Sequence, residues 1–170
     1  IRNTFLSNGY ENLYSYNRTG VNFRIAEKEL NITTGLSLQQ SLLNGIQDNG
    51  ENKRIKKDFL NLVPSARMEY NLGSGRNLSL NYDASVREPS IDQISPIIDN
   101  SNPQYISLGN PDLRPEYNHN INLNYRQFNM ATFTNFFAFA RMTLSEHPII
   151  YSQVVDEFLR TTSRPVNLQK

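Results

Sequence analysis

The chain has 170 residues, a formal net charge of +1 and no cysteine. That balance gives no reason to expect a nucleic-acid partner, and the missing thiols exclude a disulfide framework, thiol catalysis and a cysteine-type zinc site. No apolar run approaches the ~20 residues of a membrane-spanning helix, although Tyr and Phe number nine each.

The chain opens on Ile1-Arg-Asn-Thr, without an initiating Met or a signal peptide, and is expected to be a segment of a longer protein. Asn makes up about one residue in seven. Abundant aromatics beside abundant Asn, Ser and Thr do not suit disorder. They suit strands with one face in water.

About seven strand-like stretches are expected, taken here in chain order. In Gly20 to Ala26, Val21, Phe23 and Ile25 share one face, with Asn22 and Arg24 on the other. A short charged turn, Glu27-Lys-Glu29, leads to the cleanest alternation. There Leu30, Ile32, Thr34, Leu36 and Leu38 oppose Asn31, Thr33, Gly35, Ser37 and Gln39. A period of two over that length is incompatible with a helical stripe. Asn44 to Lys57 reads as a polar loop. The third strand sets Leu60, Leu62, Pro64, Ala66, Met68 and Tyr70 against Asn61, Val63, Ser65, Arg67 and Glu69, and Pro64 predicts a bulge or irregularity. The glycine-bearing turn Asn71 to Arg76 follows, then a strand from Asn77 to Val86. A long loop, Arg87 to Glu116, leads to the strand Tyr117 to Tyr125. A short turn at Arg126 to Asn129 precedes Ala131 to Thr143, where the Phe136-Phe137 pair blurs the alternation. Ile149 to Val166 is extended in composition, without a readable register.

Connections alternate short and long, which places short turns at one rim and long loops at the other. Strands of ~9–13 residues fit a tilted membrane crossing better than the ~5–6 usual in soluble sheets. The expected fold is therefore all-β: an antiparallel up-and-down meander forming part of a large transmembrane β-barrel, with residues 1–170 in a single domain. The apolar face would meet lipid, with Tyr70, Tyr82 and Tyr125 as an interfacial girdle.

The runs Val63-Pro-Ser-Ala-Arg67, Arg76-Asn-Leu78, Arg87-Glu-Pro-Ser90, Pro96-Ile-Ile-Asp-Asn-Ser-Asn-Pro103 and Gly109-Asn-Pro-Asp-Leu-Arg-Pro-Glu116 resemble the outer membrane β-barrel family of TonB-dependent receptors, in the form common in Bacteroidetes. The similarity reads continuously from about Val21 to Tyr125 and more weakly beyond. The resemblance implies energised uptake across the outer membrane of a Gram-negative bacterium. A 22-stranded barrel would hold an N-terminal plug, and TonB would be engaged through a box upstream of it. Neither plug nor box is seen in this chain, nor is a closing C-terminal strand that ends in an aromatic. The implied partners are outer-membrane lipid, the TonB complex, an unidentified imported ligand and a possible surface lipoprotein. No cofactor is implied. A non-transport binding or scaffold barrel and a soluble sheet-rich binding module are the alternatives.

The motif-loop candidates are Arg87, Pro89, Ser90, Asp99, Pro103, Gly109, Asn110, Pro111, Asp112, Leu113, Pro115 and Glu116. Gly109 is expected to take a conformation barred to other residues, and Asn110 and Asp112 to form Asx turns. Arg87 and Glu116 are expected to pair across adjacent strands and order the loop base. The lumen-facing candidates are Asn22, Arg24, Arg67, Glu69, Asp83, Arg87, Asn120, Asn122, Asn124 and Arg126. A polar interior needs such residues, and most are expected to satisfy one another. His119 and His147 are read as solvated loop residues, since Glu146-His147 lacks a ligand cluster. No Ser, Asp or His stands in a nucleophile-elbow context, so no catalysis is expected. The basic run Lys53-Arg-Ile-Lys-Lys57 is read as solvated loop, with contact to anionic lipopolysaccharide as the sharper reading.

Overall fold

The computed structural model describes residues 9–48, 53–95 and 98–168. Six strands form one antiparallel sheet: β1 (Gly9–Ala26), β2 (Leu30–Asp48), β3 (Lys53–Gly73), β4 (Arg76–Arg87), β7 (Glu116–Asn129) and β8 (Thr134–Glu146). Each pairs with the next in sequence order, apart from the insertion between β4 and β7. That insertion holds helix α1 (Ile91–Ile94), β5 (Asp99–Asn102) and β6 (Tyr105–Ser107). After β8 the chain forms a hairpin of β9 (Ile149–Val155) and β10 (Thr161–Asn167). β10 pairs parallel with β6, giving a second sheet in the order β5-β6-β10-β9.

The register sorts side chains onto two faces. Paired residues share a face, so Phe23, Thr34, Ala66, Tyr82, Ile121 and Met142 lie in one cross-strand row. The rows of that face, from Leu30, Tyr70, Leu78 and Tyr125 up to Leu38, Leu62, Val86 and Tyr117, make one apolar band. Eight residue steps at ~3.4 Å make the band ~27 Å long along the strands. At the ~35–45° tilt of barrel strands this spans about 19–22 Å, a little under the ~25 Å of a lipid-facing girdle. The chain's own residues leave the band uncovered: Val21 is 74% exposed, Phe23 67% and Leu60 65%.

Aromatic groups mark both ends of the band. Tyr125 meets Phe136 edge-on at 6.1 Å near the turns. Tyr82 and Tyr117 flank the His119 ring, at 6.0 Å and 4.9 Å, towards the other rim. The expected girdle residues Tyr70, Tyr82 and Tyr125 all lie on this face, Tyr82 in its middle rows.

All three short turns fall at one rim. Glu27 N–H donates to the Leu30 carbonyl, and Asn71 N–H to the Glu29 carbonyl. Gly73, Ser74 and Gly75 all take positive φ (71°, 51° and 73°), as the expected glycine turn requires. At the β7–β8 turn the Asn129 side-chain oxygen accepts from the Ala131 and Thr132 amides, and Phe133 has φ 52°.

Several details differ from expectation. The predicted loop Asn44 to Lys57 is largely ladder, since β2 and β3 stay paired up to Gln47 and Lys53. Backbone hydrogen bonds sustain the hairpin where the side chains are polar, so hydropathy ended the strands too early. β1 begins at Gly9 rather than Gly20 for the same reason. Arg54, Lys56 and Lys57 of the basic run therefore stand on a strand and not in a loop. Pro64 pairs with Leu36 without a bulge. Instead, the β3–β4 ladder stops one residue short of it, at Ser65 and Asp83. Beyond that fork the Leu62 carbonyl accepts the Tyr117 hydroxyl. The seventh strand-like stretch, Ile149 to Val166, is the β9–β10 hairpin and lies outside the six-stranded sheet.

Candidate functional site: the polar wall and its inserted loop

The second face of the six-stranded sheet is mainly polar, with Phe137 and Phe139 of β8 as its largest apolar side chains. The predicted residues Asn22, Arg24, Arg67, Glu69, Asp83, Asn120, Asn122, Asn124 and Arg126 all fall on it by register, and Arg87 falls there too. Many bond to one another across strands. Arg67 Nε donates to Asn81 Oδ1 at 2.8 Å, and Arg141 Nε to Asn122 Oδ1 at 2.8 Å. Asn120 donates to Asp83 at 3.2 Å and accepts from Thr143 at 3.1 Å. Phe137 and Phe139 share this polar face, which explains the blurred alternation of β8.

The long loop folds inward over this face near the rim opposite the short turns. Three wall side chains hold Glu88 there. Tyr14 Oη donates to one carboxylate oxygen at 3.0 Å. Gln39 Nε2 donates to the other at 3.1 Å, and the Ser41 hydroxyl donates to that same oxygen. Tyr14, Gln39 and Ser41 all stand on the polar face of β1 and β2. Ile91 then packs so close to Gly45 that a side chain there would press on it, the nearest approach being 2.9 Å. The loop therefore covers Ser41 and Leu43, both buried, on a face that is otherwise open.

The motif residues mostly build the loop itself. Ser90 caps α1: its hydroxyl accepts from Gln93 N–H while the Gln93 side chain accepts from Ser90 N–H. Pro89, Ile94 and Leu113 of the loop are buried, as are Pro165 and Ser163 of β10, and Leu108 N–H donates to the Ser163 carbonyl to join the two segments. Burial of side chains such as Ile94 and Leu113 is worth about 1.5–3 kcal/mol each. Gly109 does not have positive φ. It is required for close approach, because a methyl there would overlap the Ser95 carbonyl. Asn110 makes the expected Asx turn, accepting from Asp112 N–H at 3.1 Å. Asn110 also donates to the Pro165 carbonyl at 3.0 Å.

Asn167 does the matching work from β10. Its amide accepts from Arg114 N–H at 2.8 Å and donates to the Arg114 and His147 carbonyls. Asp99 lies in β5, opposite Ser107, and Pro103 in the following turn. Pro96 and Ile97 lie outside the described residues. Pro111 lies within the Asn110–Leu113 turn, where Leu113 N–H donates to the Asn110 carbonyl, and Pro115 follows two residues beyond it.

Arg87 and Glu116 meet at the loop base at 2.7 Å, opposite one another in the β4–β7 register. Glu116 also accepts from Asn118 and from the Ile149 amide, so it ties the loop base to the start of β9. His119 departs from the loop expectation. It stands on β7, with Nδ1 2.9 Å from the Tyr82 hydroxyl and Nε2 3.6 Å from Glu146. His147 is in the β8–β9 turn, with φ 52°. Among the described residues no group of His, Cys, Asp and Glu could hold a metal ion.

An open cavity of about 720 Å³ lies between the motif loop and β10, lined by Asn110, Asp112, Arg114, Glu146, His147 and Asn167 among others. Its lining offers hydrogen bonds and charge. Glu88, Tyr14, Gln39, Ser41 and Asn167 were not singled out from the sequence. The alternation of β2 places Gln39 and Ser41 on the polar face, but no local signal shows that a loop returns to them.

A search of curated protein sequences returned no match. A family model, described as the outer membrane protein beta-barrel family, matches residues 3–170. With a lipid-facing band, a polar inner wall and rims sorted by turn length already in view, that match places the protein in the Gram-negative outer membrane, and the chain belongs to the outer membrane protein β-barrel family.

Proposed function

We propose that this chain is wall and loop of a TonB-dependent uptake barrel that carries a nutrient across the outer membrane without chemical conversion. The observation that carries the reading is the motif loop, which folds onto the inner wall and is fastened there by Glu88. A loop placed so lies where a solute would enter from outside, and it narrows the passage. Support also comes from the resemblance of Arg87-Glu-Pro-Ser90 and Gly109 to Glu116 to TonB-dependent receptors. In this reading the polar wall groups bond to one another and to solute or water. TonB engages a region outside this chain, and a surface lipoprotein is the expected outer partner.

The test is accumulation of labelled solutes by cells that express the full-length protein. A panel of ferric chelates, cobalamin, oligosaccharides and peptides would be compared with and without a protonophore. Energised uptake predicts that at least one solute accumulates above the deletion strain, and that collapsing the proton gradient or removing TonB abolishes it. Accumulation that survives both treatments points to passive passage. No accumulation of any solute supports a binding or scaffold barrel.

A further inference from the structure

The register puts Arg24, Thr33, Arg67, Asn81, Asn122 and Arg141 opposite one another in a single row across all six wall strands. At ~4.8 Å between neighbouring strands, Arg24 and Arg67 stand ~10 Å apart, and Arg67 and Arg141 ~14 Å apart. Asn81 takes the Nε proton of Arg67, and Asn122 that of Arg141. Those bonds fix the guanidinium planes and leave the terminal Nη groups without a partner among the described residues. Arg24 has no bonded partner among them either.

Glu69 and Asp83 share the face on the neighbouring rows, yet neither forms an ion pair with these arginines among the described residues, and Asp83 is held by Asn120. In the next two rows towards the short turns, Glu69, Ser79 and Asn124, then Asn77 and Arg126, line an open depression of about 380 Å³. Arg126 adds a further unpaired guanidinium there.

We infer that the row Arg24–Arg67–Arg141 binds small solutes that carry several phosphate or carboxylate groups. A guanidinium offers its Nη donors as a planar fork that matches such oxyanions in pairs. Rings of arginine in a narrow polar passage favour anions over cations for the same reason. The inference rests on the polar face being the lumenal wall, and it names the chemical class of solute that this wall receives.

The test is calorimetric titration of the purified full-length protein in detergent with inorganic tripolyphosphate, maltotriose serving as the neutral comparator. Tripolyphosphate is expected to bind, with affinity that falls as salt rises. The triple variant R24Q/R67Q/R141Q is expected to bind it at least ten-fold more weakly. The variant K56Q/R160Q, altered far along β3 and in the β9–β10 turn, is expected to keep the affinity. Surface labelling of intact cells reports whether each variant reaches the outer membrane. Should the triple variant fail to assemble, R67Q and R141Q singly are each expected to weaken binding about three-fold. The inference is overturned if the wild-type protein binds tripolyphosphate no better than maltotriose, or if the assembled Gln variants bind it as the wild type does. Loss of the wall reading would show separately, as a protein that never reaches the outer membrane.

Discussion

Glu88 shows how one side chain can set the position of a whole loop. It receives hydrogen bonds from Tyr14, Gln39 and Ser41, which stand on two wall strands. Bonds to an ionised carboxylate are stronger than neutral ones, at about 1.5–3 kcal/mol net. Glu88→Gln keeps the shape, removes the charge, and turns one acceptor oxygen into an NH2 group facing donors. The expected local loss is about 1.4 kcal/mol, a ten-fold rise in loop opening. Amide exchange at Ile94, whose N–H donates to the Ser90 carbonyl in α1, should quicken about ten-fold. Unchanged exchange would mean that the loop is held without Glu88, by its buried side chains and the bonds of Asn110, Glu116 and Asn167. Arg87 and Glu116 were legible as a pair because both flank the loop in strands whose faces alternate. Glu88 was not, because its partners lie more than forty residues away in β1 and β2.

At the scale of elements, two kinds of structure are joined. Wall strands are specified by period-two alternation, so β2, β4 and β7 could be read from the order of their side chains. The ends of β2 and β3 could not, because a hairpin ladder needs only backbone groups. The inserted sheet was harder still. β6 and β10 pair in parallel from segments more than fifty residues apart, and neither strand has a hydropathy pattern of its own. The turn closing the β9–β10 hairpin is organised by Asp156. Its carboxylate accepts from the Phe158 and Arg160 amides and from Arg160 Nε at 2.7 Å. The Arg160 amide first, and then the Arg160 side chain and the Phe158 amide, hold the Asp156 carboxyl below its ordinary value of 3.8.

A folded-state value below the unfolded one means that the turn's extra stability is complete above about pH 4. It is lost as the pH falls through and below 3.8 towards the folded value. Protection of the Phe158 and Arg160 amides, taken as exchange relative to the unstructured chain at the same pH, should therefore fall on acidification below pH 4 and stay level between pH 5 and 7. In D156N this acid step should be absent. An acid step of equal size in D156N would assign it to another group.

For the molecule as a whole, exposed surface is the telling quantity. The chain exposes 12717 Å². A compact monomer of its 19.6 kDa would expose about 8,600 Å². The apolar band carries part of the excess, since Val21, Phe23, Leu36, Leu38, Leu60 and Leu62 have nothing from this chain over them. Among the described residues buried apolar side chains are few: Leu43 and Val63 on the inner wall, Ala84 on the apolar face, and Ile94 and Leu113 in the inserted loop. Such a sheet is stable only when lipid covers one face and the rest of the wall pairs with its edge strands β1 and β8. The central claim is thus that one face of these six strands meets lipid and the other meets water.

Spin labels on single introduced cysteines test it most directly, since this chain has none of its own. Labels at successive positions from Val21 to Ile25 and from Leu36 to Gln39 would be read in the full-length protein in bilayers, by collision with oxygen and with a water-soluble nickel complex. The account predicts a period of two. Oxygen access should peak at Val21, Phe23, Ile25, Leu36 and Leu38, and nickel access at Asn22, Arg24 and Ser37, while Gln39 stays shielded beneath Glu88. Nickel access at Leu36 and Phe23 equal to that at Asn22 and Arg24, or an inverted alternation, would contradict it.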